Sequence, residues 1–270
     1  MADSDGQMVE VGGVRIHARL DGPNGAPWVV FANSILTDLT MWDDQVAALD
    51  DRYRILRYDQ RGHGRSEVPD GPVTIAELGA DLSGLMDRFG VGDCILVGLS
   101  MGVPTVLDAF ARNPGRVRAL VLSDGQAATV PGGAKTWAAR IEDAREMGME
   151  RNGHATAERW FGEASRAEGR HEKLRKVSSA TAFEGFFACA SALQGYDYAD
   201  VLPRIAVPVL TIVGGNDKAL MPSVEKLHAG IAGARMEVIP DAGHLPNVEQ
   251  PEAFNRVLAG FLDGLDGGRG

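Results

Sequence analysis

A serine bracketed by glycines, Gly98-Leu99-Ser100-Met101-Gly102, is the stretch of this 270-residue chain best suited to chemistry. It falls where the apolar run Asp93 to Val97 gives way to Val106, Leu107 and Phe110 at helical spacing. That pattern describes a tight strand-to-helix turn that pushes a hydroxyl outward as a nucleophile. Glycine suits positions 98 and 102, where a tight turn brings backbone too close to its neighbours for a Cβ. Pro104 falls in the first turn of the helix, where its missing N–H has no partner to lose. The competing reading is an ordinary loop with a passive serine, and what separates the two is whether the chain also carries a base and an orienting acid.

A serine hydroxyl is a weak nucleophile at neutral pH and needs a base within hydrogen-bond reach, itself held by a third group. Of the six histidines, His17 falls in an N-terminal hairpin, His154 and His171 in a polar helical stretch, and His228 on a helix. His63 belongs to the glycine-rich loop Asp59 to Ser66, and His244 lies in Pro240-Asp241-Ala242-Gly243-His244, directly after the last strand pattern. Functional groups of an open parallel sheet gather at the carboxyl ends of its strands, where both Ser100 and His244 fall. Asp217, in Val213-Gly214-Gly215-Asn216-Asp217, also follows a strand and gives the chain order Ser, Asp, His. Asp124, which ends the strand after the serine-bearing helix, competes for the same role. Two backbone N–H groups must hold an oxyanion: that of Met101, at the positive end of a helix, and that of Ile35, in the loop after Phe31-Ala32.

The elements that must position these groups are legible as alternating patterns. Residues 8–20 read as a β-hairpin around Gly12-Gly13. Short apolar runs follow at Trp28 to Ala32, Ile55 to Tyr58, Cys94 to Val97 and Val117 to Leu122, with helical patterns at Trp42 to Leu49, Thr74 to Phe89 and Pro104 to Asn113 between them. This alternation predicts a mostly parallel sheet flanked by helices. From about Gln126 to Asp200 the pattern is helical only, rich in Ala, Arg and Glu; strands then resume at Val207 to Val213 and Met236 to Ile239, with helices around Val224 to Ile231 and Glu252 to Leu262. The expected organisation is therefore one α/β core, residues 8–125 and 201–264, with a helical cap of residues 126–200 inserted after the sixth strand. Gly264 to Gly270 is expected to be a frayed tail.

Composition narrows the function. Thirty-seven acidic against 27 basic residues give a net charge of −10, which argues against a nucleic-acid surface. Two cysteines, Cys94 and Cys189, are too few and too poorly placed for a disulfide framework. No apolar run approaches membrane-spanning length and the N-terminus carries neither a basic nor an apolar segment, so the expectation is a cytoplasmic protein without a membrane partner. No histidine–carboxylate cluster has ligand spacing, and neither a metal nor an organic cofactor is expected.

Together the serine elbow, the Asp59 to Ser66 loop, Gly215-Asn216-Asp217 and Gly243-His244 resemble the α/β-hydrolase fold superfamily from about Val11 to Leu262. Within it the chain is similar to the 3-oxoadipate enol-lactonases of aromatic-compound degradation. The similarity rests on Asn33 to Asp43, Leu56 to Asp59, Gly98 to Gly102 and Asn247 to Pro251, and in the cap on Trp137, Arg140, Gly148-Met149 and Arg159-Trp160-Phe161. It implies a Ser100–His244–Asp217 hydrolase acting through an acyl-enzyme on a small carboxylated lactone or ester. Arg140 is then the candidate clamp for the carboxylate and Trp137 an apolar wall, with Ser34 and Trp160 also at the substrate site. Arg57, Arg61 and Arg65 flank the Asp59 loop, in which Asp59 and Arg61 are read as structural. Leu36 and Val103 stand where the family usually has glycine, which leaves other acidic ring-cleavage esters or amides, or a general carboxylesterase or perhydrolase, as alternatives. A binder with vestigial chemistry is the alternative from another class. Dehalogenases and epoxide hydrolases place aspartate, not serine, at the elbow.

Overall fold

A computed structural model describes residues 5–266, and among these eight strands form one sheet. They are β1 (Gln7–Val11), β2 (Val14–Asp21), β3 (Trp28–Ala32), β4 (Arg54–Tyr58), β5 (Cys94–Leu99), β6 (Val117–Ser123), β7 (Val209–Gly214) and β8 (Arg235–Ile239). The order across the sheet is β1-β2-β4-β3-β5-β6-β7-β8. The hairpin β1-β2 and the β2-β4 pair are antiparallel, and every other neighbouring pair is parallel.

The helices are α1 (Asp43–Leu49), α2 (Ile75–Arg88), α3 (Gly102–Arg112), α4 (Gly133–Met147), α5 (Met149–Trp160), α6 (Glu163–Ala167), α7 (His171–Ala180), α8 (Phe183–Ala192), α9 (Met221–Ala229), α10 (Pro246–Glu249) and α11 (Pro251–Asp266). The five from α4 to α8 lie between β6 and β7, where only helical spacing is present in the sequence. α2 starts at a reciprocal cap: the Thr74 hydroxyl accepts from the Glu77 N–H while the Glu77 carboxylate accepts from that of Thr74.

The central strands are buried on both faces, so they read as unbroken apolar runs, and their alternation divides the interior in two. Val29 and Phe31 of β3 and Ile95 and Val97 of β5 face one cluster, completed by Trp42, Val46 of α1 and Phe254 and Leu258 of α11. Val30 of β3 and Leu96 of β5 face the other, against Leu82 and Leu85 of α2 and Val106 and Leu107 of α3. The first cluster extends into the inserted helices through Ile141, Ala144, Trp160 and Phe186.

One detail differs from the sequence reading and another adds to it. α11 runs on through Gly264 to Asp266, because Leu265 continues the apolar spacing of Leu258, Phe261 and Leu262 onto the core; residues 267–270 lie outside the described part. His17, in the hairpin as expected, is buried there, which the sequence left open, with Nδ1 2.8 Å from Asp59 Oδ2. Asp59 also accepts from the N–H groups of Leu39 and Arg65, and Arg61 makes a paired contact to Asp81, Nε to Oδ2 at 2.6 Å and Nη2 to Oδ1 at 2.5 Å. Asp59 thus ties the end of β4 to His17 of β2, and Arg61 ties the same loop to α2. Cys94 and Cys189 are buried free thiols, each pushed up to about 12 by burial.

Candidate active site

Ser100 sits one residue past β5 with φ 57°, in the left-handed region that a side chain rarely occupies. The turn is held by its own N–H, which donates to Ser123 O at 2.9 Å, and by Val103 N–H, which donates to Ser100 O at 3.0 Å. The flanking glycines are required by contact: a Cβ at Gly98 would run into the carbonyl of Gly102, and one at Gly102 into that of Ala32. Backbone is thereby packed tightly enough around Ser100 to hold a conformation that costs energy locally.

His244 arrives from the loop after β8, and its Nε2 lies 3.0 Å from Ser100 Oγ. Its Nδ1 lies 2.7 Å from Oδ2 of Asp217, from the loop after β7. A carboxylate can only accept, so the imidazole proton sits on Nδ1 and Nε2 is left to accept from the serine hydroxyl. Burial pushes the Asp217 carboxyl up, but the hydrogen bond and charge of His244, with the N–H groups of Leu220 and Ala219, bring it below the ordinary value.

Asp124, the competing acid, is also close: its carboxylate, that of Asp217 and a His244 ring nitrogen lie within 4.8 Å of one another. Its oxygens are turned elsewhere. Oδ1 accepts from Gly214 N–H at 2.9 Å and Oδ2 faces Ser123 Oγ at 2.8 Å. Complete burial, with the charges of Asp217 and Glu249, holds its carboxyl well above the ordinary value despite those bonds. Three such groups are a conceivable metal cluster, yet each ligand atom of His244 and both oxygens of Asp124 are already engaged within the protein.

A cavity of about 480 Å³ opens over these groups. Ser100, Met101, Asp217 and His244 line it from the sheet side, and Trp137, Arg140, Arg159 and Trp160 from α4 and α5. The Trp160 ring lies 4.7 Å from that of His244, and the Arg140 guanidinium 4.7 Å from the Trp137 ring centre. Among the described residues neither Arg140 nor Arg159 has a carboxylate within ion-pair distance, and Arg159 only donates to Thr156 Oγ1 at 3.1 Å. Burial lowers both guanidinium pKa values, and Arg159 lowers that of Arg140 further, while Asp143 offsets the shift of Arg159. Both stay charged at neutral pH. Arg159 has no role of its own in the sequence reading; it enters there only as part of the family-like stretch Arg159-Trp160-Phe161.

Ile35 and Leu36 line a small adjoining cavity of about 40 Å³ that shares Trp137, Arg140, Arg159 and Trp160 with the main one. Among the described residues neither the Ile35 nor the Met101 N–H has a hydrogen-bond acceptor. Leu36 has φ 60°, the conformation glycine takes without strain, and its carbonyl accepts from Ser178 Oγ of α7 at 2.9 Å. Val103 is fully buried against Gly125. Ser34 does not reach the main cavity. It is wholly buried, and its carbonyl is pulled inward by Thr37 Oγ1 and Gln60 Nε2, each at 2.7 Å.

The pattern of the alpha/beta hydrolase family matches residues 25–257. The chain belongs to that family. A 3-oxoadipate enol-lactonase of Acinetobacter baylyi is 34% identical over 244 residues, 89% of this chain and 90% of that one. An enol-lactonase structure from Burkholderia xenovorans superimposes with a TM-score of 0.89 at 37% identity, covering 95% of this chain and all of that one. A putative carbamate hydrolase of a Caulobacter species is 28% identical over 83% of this chain and 86% of that one. The likeness to enol-lactonase and carbamate hydrolase sequences spans core and inserted helices alike, and marks this alpha/beta hydrolase as a hydrolytic enzyme. No described helix is long and apolar enough to cross a membrane.

Proposed function

We propose that this hydrolase cleaves a small carboxylated ester or enol-lactone, of the 3-oxoadipate enol-lactone type met in aromatic-compound degradation, through an acyl-enzyme on Ser100. The observation that carries the reading is the line Ser100–His244–Asp217, at 3.0 and 2.7 Å, opening into a cavity lined by two arginines that have no carboxylate partner among the described residues. Residues 126–200 act as the cap, and residues 8–125 with 201–264 as the core beneath it.

Attack begins as His244 Nε2 takes the proton of Ser100 and Oγ bonds to the carbonyl carbon. The carbonyl becomes an oxyanion between the N–H groups of Met101 and Ile35, each of which stabilises it by about 3 kcal/mol. Asp217 keeps the proton on Nδ1 and stabilises the imidazolium. Collapse breaks the bond to the ring oxygen, which receives the proton from Nε2; in a lactone this oxygen stays tethered to the acyl chain. Water then attacks the ester with His244 again as base, freeing Ser100 and a carboxylic acid.

The substrate's remaining carboxylate meets Arg140, with Arg159 adding a second donor and Trp137 and Trp160 covering the ring. The test is a hydrolysis screen of small enol-lactones, esters, amides and carbamates, each with and without a carboxylate, ranked by kcat/KM. Carboxylated enol-lactones or esters leading by tenfold or more support the reading; preference for neutral esters, or for amides or carbamates, replaces its substrate.

A further inference from the structure

Glu249, the last residue of α10, has no exposed surface. Among the described residues it pairs with no Lys or Arg; its carboxylate instead gathers backbone amides from two separate segments. Oε2 accepts from Gly162 N–H at 2.8 Å, and Oε1 from Gly243 N–H at 2.8 Å, with Leu245 N–H further off at 3.4 Å. Gly243 and Leu245 flank His244. Gly162 lies two residues past Trp160, whose carbonyl accepts the N–H of His244 itself at 2.9 Å. Burial holds the Glu249 carboxyl above its ordinary value, and these amides offset only part of the rise. A buried carboxyl is costly wherever an apolar side chain would pack as well, so its retention here calls for a use.

We propose that Glu249 is the positioning residue for His244, a pin that locks the loop carrying the base to the Trp160–Gly162 segment of the inserted helices. The proposal rests on the reading of His244 as the general base. Seating of the cap then sets the distance from Nε2 to Ser100, because the same carboxylate holds Gly162 on one side and Gly243 on the other. A shift near 1 Å in a reacting group is enough to cost on the order of 100-fold in rate.

Two substitutions test the pin from opposite ends. Glu249→Gln keeps the size but turns one acceptor oxygen into a donor, so one of the two links is lost. Gly162→Pro replaces the N–H on the cap side with the ring Cδ, which cannot donate and must push Oε2 away, so that link is broken outright. The φ of −64° there and ψ of 138° at Phe161 already fit proline, and a Cβ meets nothing closer than 3.6 Å. Both variants are assayed with p-nitrophenyl acetate, and thermal unfolding and the His244 Nδ1–H resonance are recorded on the same samples. The expected result is a kcat lowered roughly 10- to 100-fold in each, the range for losing an outer partner of a working histidine, with KM little changed. In Gly162→Pro the Nδ1–H resonance should shift or broaden in the folded protein, well below its melting transition, which a purely structural role would not produce. Wild-type kcat and an unmoved resonance in Gly162→Pro overturn the proposal, even if Glu249→Gln is unstable. Absence of esterase activity in the unsubstituted protein counts against the proposed function instead, and the resonance still decides the pin.

Discussion

His244 Nδ1 meets Asp217 Oδ2 at 2.7 Å, while the nearby carboxylate of Asp124 spends its oxygens on Gly214 and Ser123. The two aspartates should therefore respond differently to the same change. Asp217→Asn removes the acceptor that holds the imidazole tautomer, and kcat should fall by about 10⁴-fold. Both Asp124 oxygens are engaged away from the imidazole, so Asp124→Asn should keep activity within about tenfold of the parent. Steady-state kinetics on both folded variants checks this, and the reverse ranking would move the acid to Asp124.

The strained backbone of Ser100 predicts a stability difference between two inactive variants. Alanine at 100 keeps a Cβ at φ 57° and glycine does not. Ser100→Gly should be more stable than Ser100→Ala by about 1 kcal/mol, measured by urea unfolding, even though glycine loosens the unfolded chain. Equal stability would mean the elbow stores no strain.

The elbow, the strand alternation and the order of Ser100, Asp217 and His244 were readable because they depend on local spacing and on a general property of parallel sheets. Burial on both faces leaves β5 and β6 as apolar runs, and a helix N-terminus suffices to place Met101. What was not readable depends on contacts between distant segments. Arg159 looks like any surface arginine of a polar helix until α4 and α5 bring it beside Arg140. Ser34 sits in a stretch that matches the enol-lactonases, yet one hydrogen bond from Gln60 Nε2 helps turn that loop inward. Glu249 has no role in the sequence beyond the family-like stretch Asn247 to Pro251, and only the return of the inserted helices past Gly162 gives it a partner 87 residues away.

Arg140 and Arg159 face the cavity with no carboxylate partner among the described residues, so their effect should follow substrate charge. Arg140→Ala should raise KM for a carboxylated ester about 10- to 100-fold, in line with roughly 1.5–3 kcal/mol for a hydrogen bond to a charged group. A neutral ester of the same size should change by less than about threefold, and Arg159→Ala should show the same selectivity to a smaller degree. Equal losses on both esters would assign the arginines to packing.

His63 ties the core to acid sensitivity. Complete burial lowers its imidazole from 6.5 to about 4, so the unfolded chain takes up a proton that the folded one refuses. Its share of stability is present above about pH 6.5 and is lost as pH falls toward 4, about 3 kcal/mol at about 1.4 kcal/mol per unit. His17 has the opposite sign: its hydrogen bond to Asp59 raises its pKa, and its share is lost as pH rises through the raised value. Urea unfolding between pH 4.5 and 7.5 should show a shallower acid-side loss in His63→Asn than in the parent protein, whereas identical slopes would remove His63 from the acid response.

Labelling with a fluorophosphonate, read by peptide mass spectrometry, addresses the nucleophile itself without knowledge of the natural substrate. One phosphonyl group per chain, on Ser100, is expected, with labelling abolished in Ser100→Ala and strongly slowed in His244→Ala. An unlabelled protein, or a label that persists in Ser100→Ala, would contradict the acyl-enzyme mechanism.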